Sequence, residues 1–233
     1  MKSFGLQNLN GILVAMLLVW TSGCQTAPKR REFAELTPTQ RVRYACEVGA
    51  RLLRADGSAA MSARTREFSG QFKAEIAAVR DGETLIEAQN PLGGTEVVAR
   101  GKGNEFSLEF PKEPIRNQKG QFQWAGVPVR HLRSLFLGRI PCPQGKTTEE
   151  GDTLVDERGE VFDFYFRSES NQPWPESLEW KASRTSPYSV RFDFDKPEGD
   201  DLVPRQWQAR SGDNEVTVKW RIRKLTRSDA GSK

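Results

Sequence analysis

Side chains able to do acid–base, nucleophilic or metal chemistry are scarce in this chain. It has one histidine, His131, and three cysteines, Cys24, Cys46 and Cys142. A histidine-based triad would need all of its proton transfer done by His131. That residue follows Arg130 and precedes Arg133 on a helical pattern, and it reads as an exposed or half-exposed helix residue. No Cys/His group has metal-ligand spacing. The carboxylates alternate on solvent faces or fall in loops such as Glu149-Glu150 and Asp200-Asp201, and mark no catalytic pair. Gly93-Gly94 and Gly101-Lys102-Gly103 lack the strand–loop–helix setting of a phosphate loop. The expectation is a protein that is not an enzyme and uses no cofactor and no metal.

The cysteines carry more information. Lys2 gives a positive start, Ile12 to Trp20 is an unbroken apolar run, and Thr21-Ser22-Gly23 leads small residues up to Cys24. The run is too short for a bilayer span, which takes about 20 apolar residues, and reads as an export signal. The residues around the cut resemble the lipobox of bacterial lipoproteins, with Thr21 where that motif usually has Leu. That resemblance implies acyl chains on Cys24. It divides the chain into a signal at 1–23, a lipidated cysteine and tether at 24–36, a single domain at 37–227 and a polar tail at 228–233. Cys46 and Cys142 are then an even pair in an oxidising compartment. They form either a bridge tying the first helix to the turn after the second, or two separate buried thiols.

Charge adds an exclusion. The net charge is +4, and losing residues 1–23 removes only Lys2 among the charged residues. A balance this even gives little footing for nucleic acid, which rewards clustered cations. Nucleic acid is therefore not an expected partner, and a monomer is expected.

The elements that must position any site come from periodicity. Thr37-Pro38 starts a helix, with Thr as cap and Pro at the first helical position. Val42, Ala45, Cys46, Gly49, Leu52 and Leu53 follow at helical spacing. A second helix runs from Pro128 to about Leu137, ended by Gly138 and Pro141. Most of the remainder alternates with period two, as half-buried strands do. The clearest cases are 68–78, 106–110, 178–182, 190–194 and 216–222, with weaker segments at 84–89, 95–100, 120–124, 152–156, 161–167 and 205–210. That makes about 10 or 11 strands in a mainly β, antiparallel architecture. Two helices of about 25 residues together cannot cover so many Phe- and Trp-bearing strands. The sheet must therefore close on its own side chains or curl around a cavity under the helices. Periodicity alone leaves both open.

Two loops bear on that choice. Asn90-Pro91-Leu92-Gly93-Gly94-Thr95-Glu96 joins two strand patterns. Gly126-Val127-Pro128-Val129, then Leu132, leads to Leu137-Gly138-Arg139-Ile140-Pro141. These stretches resemble the two most recognisable motifs of the LolB family of outer-membrane lipoprotein receptors, with Ile140 as an extra residue before Pro141. The likeness extends loosely over residues 66 to 145 and to the closing strand with Trp220. It implies a LolA/LolB-like fold, an incompletely closed antiparallel β-barrel with a hydrophobic cavity for acyl chains, lidded by two short helices.

Further expectations follow from that resemblance. The protein would be an outer-membrane-anchored acceptor, its domain facing the periplasm. It would take lipoproteins from a LolA-like periplasmic carrier and insert them among outer-membrane phospholipids. Pro91, Leu92 and Gly93 would form the membrane-insertion loop, with Leu92 protruding. The residues in apolar phase that are candidates for the acyl cavity are Phe72, Ile76, Phe106, Leu108, Trp124, Leu132, Leu135, Phe136, Phe164, Trp180, Phe192 and Trp220. Each is also a candidate for ordinary core. The basic face Lys219/Arg221/Arg223/Lys224 is read either as a contact for an acidic carrier or headgroups, or as a solvated edge. The proline-bearing connections at 169–176 and 195–204 and the Cys46/Cys142 pair depart from the family pattern and mark a diverged member. Two alternatives stand beside the receptor: an anchored lipid or glycolipid carrier of the same fold, and a structural envelope lipoprotein with a filled barrel.

Overall fold

A computed structural model of the chain describes residues 33–65, 69–150, 153–167, 172–196 and 203–228. Cys24 with the export segment, Phe68, Pro197, Asp200-Asp201 and the end of the polar tail lie outside the described residues.

Helix α1 (Pro38–Ala50) starts where its sequence signals place it. The Thr37 hydroxyl accepts a hydrogen bond from the Gln40 N–H at 3.3 Å. The Gln40 side chain in return accepts one from the Thr37 N–H at 2.9 Å, a reciprocal capping box. The helix stops at Ala50, short of the Leu53 expected from periodicity, because Leu52 opens strand β1 (Leu52–Arg64). There follow β2 (Ser69–Val79), β3 (Thr84–Gln89), β4 (Thr95–Lys102), β5 (Glu105–Glu109), β6 (Gln118–Gln121), β7 (Gln123–Trp124) and β8 (Val127–Pro128). Helix α2 (Val129–Phe136) then precedes β9 (Thr147–Glu150), β10 (Thr153–Asp156), β11 (Val161–Tyr165), β12 (Ser177–Lys181), β13 (Ser189–Phe194), β14 (Gln206–Ser211) and β15 (Asn214–Arg227).

Thirteen of these strands form one antiparallel sheet in the order β6-β5-β4-β3-β2-β1-β15-β14-β13-β12-β11-β10-β9. It is a meander whose first strand also pairs with its last. Its outer strands, β6 and β9, are not neighbours, so the sheet is unclosed. Two strands exceed the sequence expectation for identifiable reasons. The alternation of β1 is carried by Ala55, Gly57, Ala59 and Ala63, all buried but too small to give hydrophobic contrast. At Gly57 any Cβ would stand 2.3 Å from the Arg221 carbonyl, so only glycine fits beside the register shift between β1 and β15. Strand β9, Thr-Thr-Glu-Glu, is a polar outer strand of the kind that discourages further pairing.

Helix α2 has no side-chain N-cap, but its C-terminus is closed twice. The Arg139 N–H reaches the Ser134 carbonyl and the Gly138 N–H the Leu135 carbonyl, both at 2.9 Å. Gly138 takes a φ of 81° there, as a Schellman ending requires. Just beyond it, Cys142 is joined by a disulfide to Cys46 of α1. The bridge clasps the first helix to the segment leaving the second.

Candidate functional site

Between β1 and β6 many of the inward side chains are small. The register aligns Ala59 with Ala74 and Ala74 with Ala88. In neighbouring rows Ile86 faces Ala99, and Thr84 faces Gly101. Above this floor α2 presents Val129, Leu132 and Phe136. Between floor and helix lies a cavity of about 350 Å³. Its wall includes Phe72, Ile86, Val97, Phe106, Leu108 and Trp124. Two of those rings lie flat rather than standing into the space. A Cβ on Gly120 would meet the Phe106 ring at 2.4 Å, and one on Gly70 the Phe72 ring at 2.5 Å. Glycine therefore leaves each ring the room it occupies.

The ends of the cavity differ. At one end are buried Thr84 and half-buried Arg133. The Arg133 guanidinium donates to the Gly82 carbonyl at 2.6 Å and the Gly103 carbonyl at 3.0 Å, holding the β2–β3 and β4–β5 turns under α2. Burial lowers its pKa from the ordinary arginine value. At the other end the lining passes through Thr65 and Asn117 to Ile115 and Arg116 on an exposed loop.

The Pro91-Leu92-Gly93 turn stands at that second end, since the β3–β4 and β5–β6 connections leave the same side of an antiparallel meander. Asn90 builds it. Its side-chain oxygen accepts from the Leu92 N–H at 3.0 Å and the Gly94 N–H at 2.9 Å. Gly93 adopts a φ of 84°, and its N–H reaches the Asn90 carbonyl at 2.9 Å. The Leu92 side chain is thereby held 95% exposed. Lys112, from the β5–β6 loop, and Asn90 each donate to Glu96, at 2.6 and 2.7 Å. The Lys112 bond, then that from Asn90, holds the Glu96 carboxyl below its ordinary pKa.

Of the twelve aromatic and aliphatic candidates, the structure brings six to the cavity: Phe72, Phe106, Leu108, Trp124, Leu132 and Phe136. The other six, Ile76, Leu135, Phe164, Trp180, Phe192 and Trp220, are absent from its lining and lie in the packed core. Most of the large rings of that core are on the β10–β15 side, where Phe162, Phe164, Leu178, Trp180 and Phe192 are fully or almost fully buried. The side chain of Trp220 instead covers Gly57. Alternation could not separate the two sets, because wall and core share one inward phase. Lining residues it passed over, Ala63, Ala88 and Ala99 among them, are visible only as small inward residues between large ones.

His131 corrects its expectation. It is 3% exposed, with its ring edge-on to Trp180 at 5.2 Å and to Phe162 and Phe192 at about 6 Å. Its helix turns inward on the β11–β13 side, and that outweighs the two flanking arginines. Arg130 has its own partner in Glu160, which also accepts from Trp180 Nε1 at 3.2 Å. Burial first, and Arg130 second, push the imidazole well below its ordinary pKa, and the Nε2 atom has no hydrogen-bond partner. Of the basic residues on β15, Lys219 lies opposite Gln206 of β14, whereas Arg221, Arg223 and Lys224 lie beyond the β14 register, beside β1 alone. All four are exposed, and Arg223 is paired with Glu75.

Among the described residues no group of three or more His, Cys, Asp or Glu side chains is placed to hold a metal ion. No helix among them is long and apolar enough to cross a membrane.

No family model matches the chain, and no curated protein matches it significantly. Solved structures of similar chain path exist. A LolA superfamily protein from Nitrosomonas europaea is 10% identical, with 84% of this chain and 96% of that one covered and a TM-score of 0.43. A DUF1329 family protein from Desulfovibrio piger is 11% identical over the same shares, with a TM-score of 0.47. A Vibrio parahaemolyticus domain provisionally assigned to outer-membrane lipoprotein sorting is 10% identical over those shares, with a TM-score of 0.45. At these values nothing about ligand or partner follows for this chain.

Proposed function

We propose that this protein is an outer-membrane-anchored acceptor of acyl chains, which takes lipoproteins from a periplasmic carrier and passes them to the bilayer. Residues 37–227 would form the receiving domain and Cys24 its lipid anchor. The observation that carries the reading is the mostly apolar cavity of about 350 Å³ under α2. Such a volume lies within the range of small-molecule sites, about 300–1,000 Å³. Binding would rest on area, about 0.8 kcal/mol per buried methylene, so no single side chain need be indispensable. Delivery needs only that the bilayer bury the chains better than the cavity does, and no reacting group or cofactor takes part. In this reading Leu92, on its stiff turn, makes the first contact with lipid.

Displacement of a fluorescent acyl probe tests the proposal. A sixteen-carbon competitor should outcompete an eight-carbon one by more than about tenfold. Ala99→Phe, which fills the floor between Ile86 and Leu108, should weaken probe binding by at least about tenfold. Leu92→Glu should leave probe affinity intact and slow transfer of bound cargo to vesicles. Equal displacement by both chain lengths, with no response to Ala99→Phe, would overturn the acyl reading.

A further inference from the structure

The four large hydrophobic side chains left exposed among the described residues include two at one end of the cavity, Leu92 at 95% and Ile115 at 98%. Ile115 is not at the tip of a slack loop. Its 3-10 turn (Pro114–Arg116) is closed by the Arg116 N–H to the Glu113 carbonyl at 2.9 Å and the Asn117 N–H to the Pro114 carbonyl at 3.0 Å. The Asn117 side chain accepts from the Phe110 N–H at 2.7 Å and shuts the loop at its base. Asn90 plays the same part beneath Leu92. The Lys112–Glu96 ion pair at 2.6 Å then staples one loop to the other.

From this arrangement we infer that Ile115 is a second membrane-contacting side chain, and that the Leu92 turn and the β5–β6 loop form one rigid two-pronged surface that docks on a lipid bilayer. The inference rests on the acyl-acceptor reading and names the surface through which that site meets lipid. Three features select a bilayer as the occupant. The two prongs are single aliphatic side chains on separate turns, suited to a deformable apolar phase and not to a matched protein pocket. Cations accompany them: Lys112 and Arg116, paired with Glu96 and Glu113 at 2.6 and 3.1 Å, and exposed Lys119 leave the two loops with an excess of one positive charge, which suits anionic headgroups. Ile115 and Arg116 also line the cavity, and the Arg116 guanidinium lies 4.6 Å from the centre of the Phe110 ring, another lining residue. Seating Ile115 in lipid therefore brings the end of the cavity to the bilayer surface, so that a chain leaving the cavity need not cross water.

The test uses the full chain with phosphatidylethanolamine/phosphatidylglycerol vesicles. Ile115→Cys, Leu92→Cys and, at the opposite end of the sheet, Asn104→Cys are labelled with an environment-sensitive fluorophore. Cys46 and Cys142 are held in their disulfide, and wild-type chain labelled in parallel supplies the background from Cys24. On adding vesicles, iodide quenching should fall at least about threefold for the labels at 92 and 115 and stay unchanged at 104. Ile115→Glu should slow cargo transfer to the same vesicles about tenfold, with acyl-probe affinity within twofold of wild type. Protection at 92 with none at 115 overturns this inference and leaves the acceptor reading standing. Protection at neither position overturns both this inference and the membrane step of that reading. Normal vesicle protection at 115, with Ile115→Glu impairing only uptake from the carrier, overturns it in favour of a protein-docking role.

Discussion

The two halves of the sheet obey the same alternation and end up with opposite interiors. From β1 to β6 the inward residues include Ala63, Ala88, Ala99 and Gly101, and a cavity remains. From β10 to β15 they include Leu154, Phe162, Phe164, Leu178, Trp180, Val190, Phe192 and Trp207, and the space is closed. Helix α2 divides the two. Its Leu132 faces the cavity, while His131 is set among Phe162, Trp180 and Phe192. Phe136 serves both sides, lining the cavity with its ring 5.1 Å from that of Trp207. Hydrophobic phase therefore determines which side chains point inward, and their size determines whether the inside is wall or core.

The largest expected effect tests that division directly. Phe192→Ala, on the closed side, should cost about 3–5 kcal/mol in chemical denaturation, because fully packed neighbours cannot collapse into the vacancy. Phe106→Ala, on the open side, should cost only about 1 kcal/mol, since that ring is already half-exposed beside empty space. Equal losses would mean that the cavity is filled in solution and that the two halves are one core. The reverse substitution sharpens the contrast at smaller scale. Ala209 is buried and pairs with Phe192, so Ala209→Phe should overpack the closed side by about 1–3 kcal/mol. Ala99→Phe should fall within about 1 kcal/mol of wild type, because its ring has a cavity to enter.

Much of this fold is legible in the sequence, and the largest failure has a physical cause. The antiparallel β class and both helices follow from periodicity and capping, whereas the unclosed sheet and the cavity are expected only from the family resemblance. Strand β1, the pivot of the sheet, escapes the periodicity because Ala and Gly on its inward face give almost no hydrophobic signal. Ala63 of that strand lines the cavity together with Ala88 and Ala99, so this part of the floor is the part a hydrophobicity pattern sees least. Large aromatic residues were easy to place inward, yet pattern alone could not divide Phe72 from Phe164. The Leu92 turn was the most readable feature, because Asn90, Pro91, Gly93 and Gly94 each have a local conformational reason to be there.

His131 provides the subtlest comparison, because it places a titratable ring inside the half that is otherwise dry. In the folded chain its pKa lies well below 6.5, chiefly through burial and secondarily through Arg130. In the unfolded chain it titrates near the ordinary value. Between the two the unfolded state binds the extra proton, so the stability of the neutral buried ring is present above about pH 6.5 and is lost as pH falls toward the folded value. The slope from this one group approaches about 1.4 kcal/mol per pH unit. The carboxylates with lowered pKa, such as Asp56 and Glu96, act only as they protonate at lower pH. Urea midpoints between pH 6.5 and 5.5 isolate the histidine. Wild type should lose about 1 kcal/mol over that unit, and His131→Leu should be nearly flat. A parallel decline in both proteins would show that protons reach the β10–β15 interior by another group, and that this half is less tightly closed than its packing indicates.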